Sequence, residues 1–363
     1  MMKIGIAVIT LILACFGVYQ FFAQPHAQDV SLESIKVLSP SPKIVAQSPD
    51  LALEDRKYLF IPYWNTSIDE STYGSYDRFI YFGVTADSTG ALTEDSGFNS
   101  LEDFQNSTKG KEQMLTLRLL DTDINSALLE NVDAQKKLIA ETLALVKSKN
   151  FDGVVLDLEM SVLPLSDVQN NITLFVQRFV QSTHDHDAIF AMTIYGDVYY
   201  RGRPYDVKQI GKFVDEIMIM AYDFHKSRGE PGPNFPLTGR STYGYDFDAM
   251  ITDFSKDVPI QKLSVVMGMY GYDWTLGPQG KPLKSAKALP LNDIEELVTP
   301  DCNLEKCKIV TDTKTKESKI TYVDEEGYNH EIWFENEASG KIKERYLLNK
   351  GIDRVGYWVY GYF

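Results

Sequence analysis

Residues 58–360 contain eight short runs rich in β-branched and aromatic residues, most of them separated by amphipathic stretches. The strand-like runs are residues 58–64, 78–84, 115–120, 153–160, 188–195, 216–222, 263–270 and 355–360. The helical patterns are residues 133–149, 165–182, 205–214, 246–257 and 339–350. Eight alternating units predict an α/β fold, a (βα)8 TIM barrel with an outer ring of helices. A doubly wound open sheet is the alternative, but no glycine-rich turn follows the first run to support a nucleotide-binding version.

Residues 275–337 interrupt this alternation between the seventh and eighth runs. They contain a short helical pattern at 291–298 and strand-like runs at 308–311, 319–323 and 329–334. An Asp-Glu-Glu-Gly turn joins the last two runs, so this segment predicts a small α+β insertion. Cys302 and Cys307 lie within it, either bridged to each other or as two free thiols.

The N-terminal region predicts a location outside the cytoplasm. Residues 4–22 form an uncharged stretch of 19 residues, close to the length that spans a bilayer as a helix. We expect residues 1–27 to be an uncleaved membrane anchor; a cleaved signal peptide and a lipid anchor at Cys15 are the alternatives. Residues 28–56 contain three Ser-Pro pairs and few aromatic residues, which predicts an extended linker. The main domain at 57–363 would then be extracytoplasmic, membrane-anchored or secreted.

Composition excludes some partners and favours another. The chain has 36 Lys+Arg against 51 Asp+Glu, a net charge of −15, and such a chain repels phosphate backbones, so no nucleic acid is expected. Five scattered histidines and three cysteines give no zinc-ligand pattern, so we expect no metal and no other cofactor. Aromatic residues make up 12%, and their flat faces suit a neutral ligand such as a sugar.

Two acidic residues in the fourth run carry the clearest chemical signal. Strand alternation places Val155, Asp157 and Glu159 on one face, which in a barrel points inward and rises toward the carboxyl-terminal rim. The two carboxylates lie about 7 Å apart along the strand and repel each other, so one favours holding a proton. A protonated carboxyl group is what general acid catalysis at neutral pH requires. From spacing alone, a structural role in salt bridges or loop caps is an equal alternative, and a metal site is a weaker one.

Several blocks of sequence resemble one enzyme family. DGVVLDLE at residues 152–159 resembles the DGxDxDxE signature of glycoside hydrolase family 18, the chitinase family. MAYD at 220–223 is similar to its sixth-strand MxYD motif, and Trp358 resembles its eighth-strand tryptophan. GMYGYDW at 268–274 is similar to the bacterial branch that includes the spore-cortex peptidoglycan N-acetylglucosaminidases. The resemblance covers residues 57–363.

The resemblance implies substrate-assisted hydrolysis with retention of configuration. Glu159 would protonate the leaving glycosidic oxygen while the substrate's own 2-acetamido carbonyl attacks the anomeric carbon. Asp157 would orient and stabilise the acetamido group, and Tyr222 would donate a hydrogen bond to its oxygen. Asp223 would hold the distorted sugar, and Trp358 would form an apolar floor beneath it.

Further substrate contacts are expected beside these residues. The substrate-binding set is Trp358, Tyr63, Met220, Tyr270, Tyr272, Asp273 and Trp274. Most of these lie at the ends of predicted barrel strands, where sugar contact is expected; ordinary packing in the core or in loops is the alternative.

One position departs from the signature, since Val155 stands where the family has Asp or Asn. In the family that residue helps Asp157 to hold or release its proton, so we expect an altered pH dependence rather than a loss of activity. The sequence therefore predicts a monomeric glycosidase that cleaves β-1,4-linked N-acetylglucosamine bonds in peptidoglycan or a chitin-type glycan. A non-hydrolytic carbohydrate-binding protein is the alternative, and Val155 alone favours it.

Overall fold

The computed structural model describes residues 56–298, 302 and 304–363. The predicted anchor or signal at 1–27 lies outside the described residues, as does the predicted linker except for its last residue. Across the described ranges, no helix combines the length and apolar character needed to span a membrane.

Eight strands form a closed parallel barrel, which confirms the predicted fold. In chain order the barrel strands are β1 (Arg56–Pro62), β2 (Arg78–Thr85), β3 (Glu112–Leu119), β4 (Gly153–Leu158), β5 (Ile189–Tyr195), β6 (Glu216–Ala221), β7 (Leu263–Gly268) and β13 (Arg354–Trp358). Strand β13 closes the barrel by pairing in parallel with both β1 and β7. Parallel strands place all their carboxyl ends at one rim, so side chains from distant parts of the sequence meet there.

Helices cover the outside of the barrel. They are α1 (Glu70–Ser75), α2 (Ser96–Asn99), α3 (Leu101–Ser107), α4 (Thr122–Glu130), α5 (Val132–Ser148), α6 (Ser166–His184), α7 (Val198–Arg201), α8 (Val207–Phe213), α9 (Arg240–Tyr243), α10 (Phe247–Asp257), α11 (Leu291–Val298) and α12 (Glu337–Asn349). Helix α5 shows why these stretches are helical: the side chain of Asn131 caps its first turn, and its apolar residues recur at helical spacing. Leu138, Leu143 and Val146 are buried against the barrel.

The barrel interior is a packed apolar core, separate from the larger core beneath the helices. It comprises Tyr58, Phe60, Ile80, Phe82, Met114, Val155, Ala191, Met218, Val266 and Val359. Below it, at the amino-terminal end, the Arg78 guanidinium pairs with Glu216 at 2.7 Å and with Glu112 at 2.7 Å. These layers fill the lower barrel and leave the carboxyl-terminal rim for a site.

The insertion is a five-stranded antiparallel sheet in the order β10-β11-β12-β8-β9. Its strands are β8 (Tyr270–Leu276), β9 (Lys287–Pro290), β10 (Glu305–Thr311), β11 (Ser318–Val323) and β12 (Asn329–Phe334). The predicted seventh strand ran to residue 270 and the insertion began at 275, and this boundary was wrong. Barrel strand β7 ends at Gly268, and the next residues pair with β12 and β9 instead of the barrel. An extended aromatic pattern continues across the break, so periodicity alone could not locate it.

A disulfide joins Cys302 and Cys307 in the insertion. Of the two alternatives that the sequence left open, the structure contains the bridge.

Candidate active site

The paired carboxylates lie at the carboxyl end of β4, inside the barrel. Asp157 is 4% exposed, and its carboxylate accepts a hydrogen bond of 2.5 Å from the Thr193 hydroxyl on β5. Glu159, one residue past the strand, is half-buried, and its carboxylate accepts a hydrogen bond of 2.6 Å from the Tyr195 hydroxyl. The parallel pairing of β4 with β5 brings these donors beside their acceptors. Both acids therefore have fixed positions at the rim.

Burial controls the protonation of this pair. Removal from water raises the pKa of Asp157 to about 7, and the nearby charge of Glu159 acts in the same direction. The Thr193 hydroxyl and the Arg118 guanidinium oppose the shift because both stabilise the ionised form. Asp157 can therefore hold a proton close to neutral pH.

Tyr222 and Asp223 follow β6 and lie beside the acids. Burial raises the pKa of Tyr222 well above its usual range, and the charges of Asp157 and Glu159 add to this shift, so its hydroxyl remains a donor. Asp223 adopts a left-handed backbone with φ of 57°, and its N–H donates to the side-chain oxygen of Asn234 at 2.8 Å. The Tyr222, Asp223, Asp157 and Glu159 side chains thus converge on one end of the barrel.

Trp358 closes the bottom of the site at the end of β13. Its ring stacks on Tyr222 with an interplanar angle of 21° and a centroid separation of 6.4 Å. Phe82 meets it edge-on with the centroids 4.5 Å apart, and Phe60 packs at 5.7 Å. Trp358 is half-buried while its neighbours fix its orientation, which leaves part of a rigid flat surface free for a ligand.

Three of the remaining predicted substrate contacts, Met220, Tyr270 and Tyr272, lie next to Asp223. Met220 lines a cavity together with Glu159, Tyr222 and Asp223. Tyr270 and Tyr272, on β8, both donate their hydroxyl hydrogens to one carboxylate oxygen of Asp223, the latter at 2.8 Å. The β8 tyrosines therefore reach this site from the insertion sheet.

Tyr63 is half-buried at the rim beside exposed Trp64, with the two rings edge-on at 5.0 Å. Asp273 lies within the insertion, where it accepts hydrogen bonds of 2.8 Å from Tyr322 and from His330. Trp274 is 0% exposed, and its indole N–H donates to the carbonyl of Gly229 at 3.0 Å. Because nothing of Trp274 reaches the surface, its position corresponds to the packing alternative, and we do not retain it as a sugar contact.

Sequence reasoning did not identify the groups that hold these acids in place. Thr193 and Tyr195 occupy alternate positions on β5, so the sequence placed them on one face but gave no register with β4. Arg203 lies over the Tyr195 ring, 3.6 Å from its centroid, and pairs with Asp197. Asn234 lies in the loop after β6, where only contacts in the folded chain identify its role.

Val155 belongs to the apolar core of the barrel interior and is 0% exposed. Asp157 accepts its hydrogen bond from Thr193, on the neighbouring strand. Opposite Val155 on β3, the buried hydroxyl of Thr116 has no hydrogen-bond partner within the part of the chain that the structure describes. Among the described residues, no three His, Cys, Asp or Glu side chains group closely enough to hold a metal ion.

This fold and site define a (βα)8-barrel protein with a carboxylate pair at the carboxyl-terminal end of its barrel. The model of the glycosyl hydrolases family 18 matches residues 67–362, and the chain belongs to that family.

Relatives within the family include bacterial and animal proteins. A Bacillus subtilis protein named as a sporulation-specific glycosylase, YdhD, is 26% identical over 244 residues, which are 67% of this chain and 55% of that protein. The cortical fragment-lytic enzyme of Bacillus anthracis is 23% identical over 66% of this chain and 53% of its own length. This chain thus spans little more than half the length of these two relatives. The structure of the Bacillus cereus spore cortex-lytic enzyme SleL superposes with a TM-score of 0.68 at 21% identity, covering 85% of this chain and 72% of that chain, and shares the fold.

Proposed function

We propose that this protein is a glycoside hydrolase that cleaves β-1,4-linked N-acetylglucosamine bonds by substrate-assisted catalysis with retention. The observation that carries the proposal is the Asp157–Glu159 carboxylate pair, with Tyr222 and Asp223 beside it and Trp358 beneath. Membership of family 18 supports the reaction class. Peptidoglycan is the favoured glycan, because several relatives are named for sporulation or for lysis of cortical fragments.

The first half of the reaction breaks the glycosidic bond. Glu159 transfers its proton to the leaving oxygen as the C1–O bond cleaves, while the acetamido carbonyl oxygen of the substrate bonds to C1. The resulting oxazolinium ion carries a positive charge, and the ionised form of Asp157, the nearest buried carboxylate, stabilises it. Tyr222 donates to the acetamido oxygen and fixes it for in-line attack.

The second half returns the enzyme to its starting state. Glu159, now ionised, removes a proton from water as the water oxygen attacks C1. The C1–O bond to the acetamido oxygen breaks, which restores the N-acetyl group with the configuration at C1 retained. Asp223 holds the distorted sugar, and Trp358 supports its apolar face. Tyr63, Met220, Tyr270 and Tyr272 complete the binding surface.

Product analysis tests the proposal. The full-length protein and Glu159→Gln are incubated with purified peptidoglycan and with chito-oligosaccharides, and the products are identified by mass spectrometry. We expect new reducing ends at N-acetylglucosamine from the wild type and loss of at least 100-fold in rate in the variant. Absence of product from both glycans with the wild type would contradict the proposal.

A non-hydrolytic carbohydrate-binding protein is the second candidate, and Val155 is the observation that favours it. The wild-type protein distinguishes this candidate from the hydrolase. Binding of chito-oligosaccharides without turnover by the wild type would support the non-hydrolytic binding protein.

We further propose the arrangement of the rest of the chain. Residues 1–27 would act as a membrane anchor or signal peptide, 28–56 as a linker and 57–363 as a monomeric, extracytoplasmic domain. The Cys302–Cys307 disulfide supports an oxidising compartment. Fractionation of cells tests the extracytoplasmic location, and a protein found only in the cytosol would contradict it. Size-exclusion chromatography of the purified protein tests the monomeric state.

A further inference from the structure

Arg118 occupies an unusual position next to the carboxylate pair. It lies on β3 directly opposite Asp157 in the register of β3 with β4, two residues beyond Thr116 on the inward face. Its guanidinium lies 5.0 Å from the ring centroid of Tyr63 and 4.9 Å from that of Phe82. Since Phe82 also packs against Trp358, this cation borders the same aromatic floor that underlies the site.

The Arg118 side chain makes no direct polar contact with another described residue. Across the described ranges its guanidinium has no hydrogen-bond or ion-pair partner, and its Nε is buried without an acceptor. The neighbouring arginines differ, because Arg203 and Arg201 both pair with Asp197. A half-buried guanidinium loses hydration that a partner normally replaces. Asp157, directly opposite on β4, interacts with Arg118 electrostatically, but neither a hydrogen bond nor an ion pair joins these two described residues.

Space for a ligand adjoins this cation. A cavity of about 270 Å³ at the carboxyl ends of β2 and β3 is lined by Arg118, Thr85, Leu119 and Leu120 and by two acids, Asp87 and Asp121. Both acids already have partners: Asp121 caps α4 by accepting two backbone N–H groups, and Asp87 accepts from Thr89 and Ala91. Arg118 is the cation among the residues that line this cavity.

We propose that Arg118 binds a carboxylate of the substrate and so selects a glycan in which a sugar next to the cleaved bond carries an acid. The 3-O-lactyl group of N-acetylmuramic acid supplies such a carboxylate on strands whose stem peptides, which are attached to it as amides, have been removed; chitin has no such group. The planar guanidinium can hold a carboxylate through two parallel hydrogen bonds. The inference rests on the proposed function and deepens it by separating peptidoglycan strands freed of their stem peptides from neutral glycans.

Electrostatics make a local cation necessary for such a substrate. The chain carries a net charge of −15, and Asp157, Glu159 and Asp223 lie together at the proposed site. An acidic glycan is repelled by this field unless a cation lies where its carboxylate enters. Lys226 also lies near the site, 5.7 Å from the Tyr195 ring, but it is exposed and its charge is hydrated.

Matched substrates separate an effect on the ligand from an effect on the acids. We would measure kcat/KM on a tetrasaccharide of alternating N-acetylglucosamine and N-acetylmuramic acid, on its lactyl methyl ester, and on chitotetraose. We expect the wild type to prefer the free acid to the ester by at least 10-fold. Arg118→Gln is expected to lose about 10- to 100-fold on the acid and less than about 3-fold on the two neutral substrates. On the free acid, we expect the kcat/KM of Arg118→Lys to lie between those of the wild type and Arg118→Gln, because lysine retains the charge without the planar fork.

Three results would overturn the assignment. The first is equal loss on all three substrates in Arg118→Gln, which would place its role in the ionisation of Asp157. The second is an equal kcat/KM of the wild type on the free acid and on its ester. The third is a preference for the acid that Lys226→Gln removes and Arg118→Gln retains. Arg345→Gln, an exposed cation on α12, controls for net charge and should leave the preference intact. No product from any of the three substrates with the wild type would instead contradict the proposed hydrolase.

Discussion

The side-chain oxygen of Asn234 accepts a hydrogen bond from the backbone N–H of Asp223 at 2.8 Å. The N–H of Asn234 in turn donates to Glu317 at 2.5 Å, and Glu317 pairs with the fully buried ammonium of Lys343 at 2.9 Å. Glu317 precedes insertion strand β11, and Lys343 lies on α12. The insertion is therefore connected to the site through buried hydrogen bonds that support the left-handed backbone of Asp223.

This connection makes Asn234 a positioning residue. We expect Asn234→Ala to lower kcat by about 10- to 100-fold, because small displacements of reacting groups carry penalties of that size, with KM changed less than about 3-fold. Initial rates over a range of oligosaccharide concentrations measure both constants. Asn292→Ala, an exposed asparagine on α11, is the matched control. A kcat for Asn234→Ala equal to that of the control would show that Asp223 keeps its position without this contact.

The Thr193 hydroxyl sets the pH range of the site. It donates to Asp157 and lowers the pKa of that carboxyl, so its removal raises the pKa above the value of about 7. If activity requires the proton held by the pair, the alkaline limb of kcat/KM moves to higher pH in Thr193→Val, by about half to one pH unit. Thr142→Val removes another buried hydroxyl, on α5, and should leave the limb in place. A limb that moves to lower pH in Thr193→Val would contradict the assignment.

Burial of Asp157 also predicts how stability changes with pH. Its folded pKa of about 7 lies above its ordinary value of 3.8, so the folded state holds a proton that the unfolded state has released between these values. Stability from this group is therefore fully present below pH 3.8 and is lost as pH rises through 7. Relative to the wild type, Asp157→Asn should gain free energy of unfolding as pH rises from 4 to 8, by up to about 4 kcal/mol. Urea unfolding at both pH values measures the gain, and a gain independent of pH would contradict the shifted pKa.

Trp358 and Trp274 should separate binding from stability. Trp358→Ala removes a partly open ring under the site, so we expect KM for oligosaccharides to rise about 10- to 100-fold. Trp274→Ala empties a fully buried position and should lower the free energy of unfolding by about 3 to 5 kcal/mol. Kinetics and urea unfolding are measured on both variants. Weakened substrate binding by Trp274→Ala at full stability would restore that residue to the binding surface.

Sequence patterns predicted the barrel because each strand and helix carries its own period of apolar residues. They also placed Asp157 and Glu159 on the inward face, since the residues of one strand alternate whatever its neighbours do. Patterns did not reveal Thr193 beside Asp157, because contacts between strands depend on register. Asn234 and Glu317 are 83 residues apart, and only the folded insertion brings them together. The end of β7 was misplaced because the aromatic run continues into a strand of another sheet.

The stereochemistry of the first product tests the central claim most directly. Proton NMR follows the anomeric signal in the first minutes of hydrolysis of an N-acetylated oligosaccharide and of its de-N-acetylated counterpart. The Asp157–Glu159 mechanism predicts that the new reducing end appears first as the β-anomer, and that the de-N-acetylated chain is not cleaved. An α-anomer formed first, or equal cleavage of both chains, would contradict participation of the acetamido group.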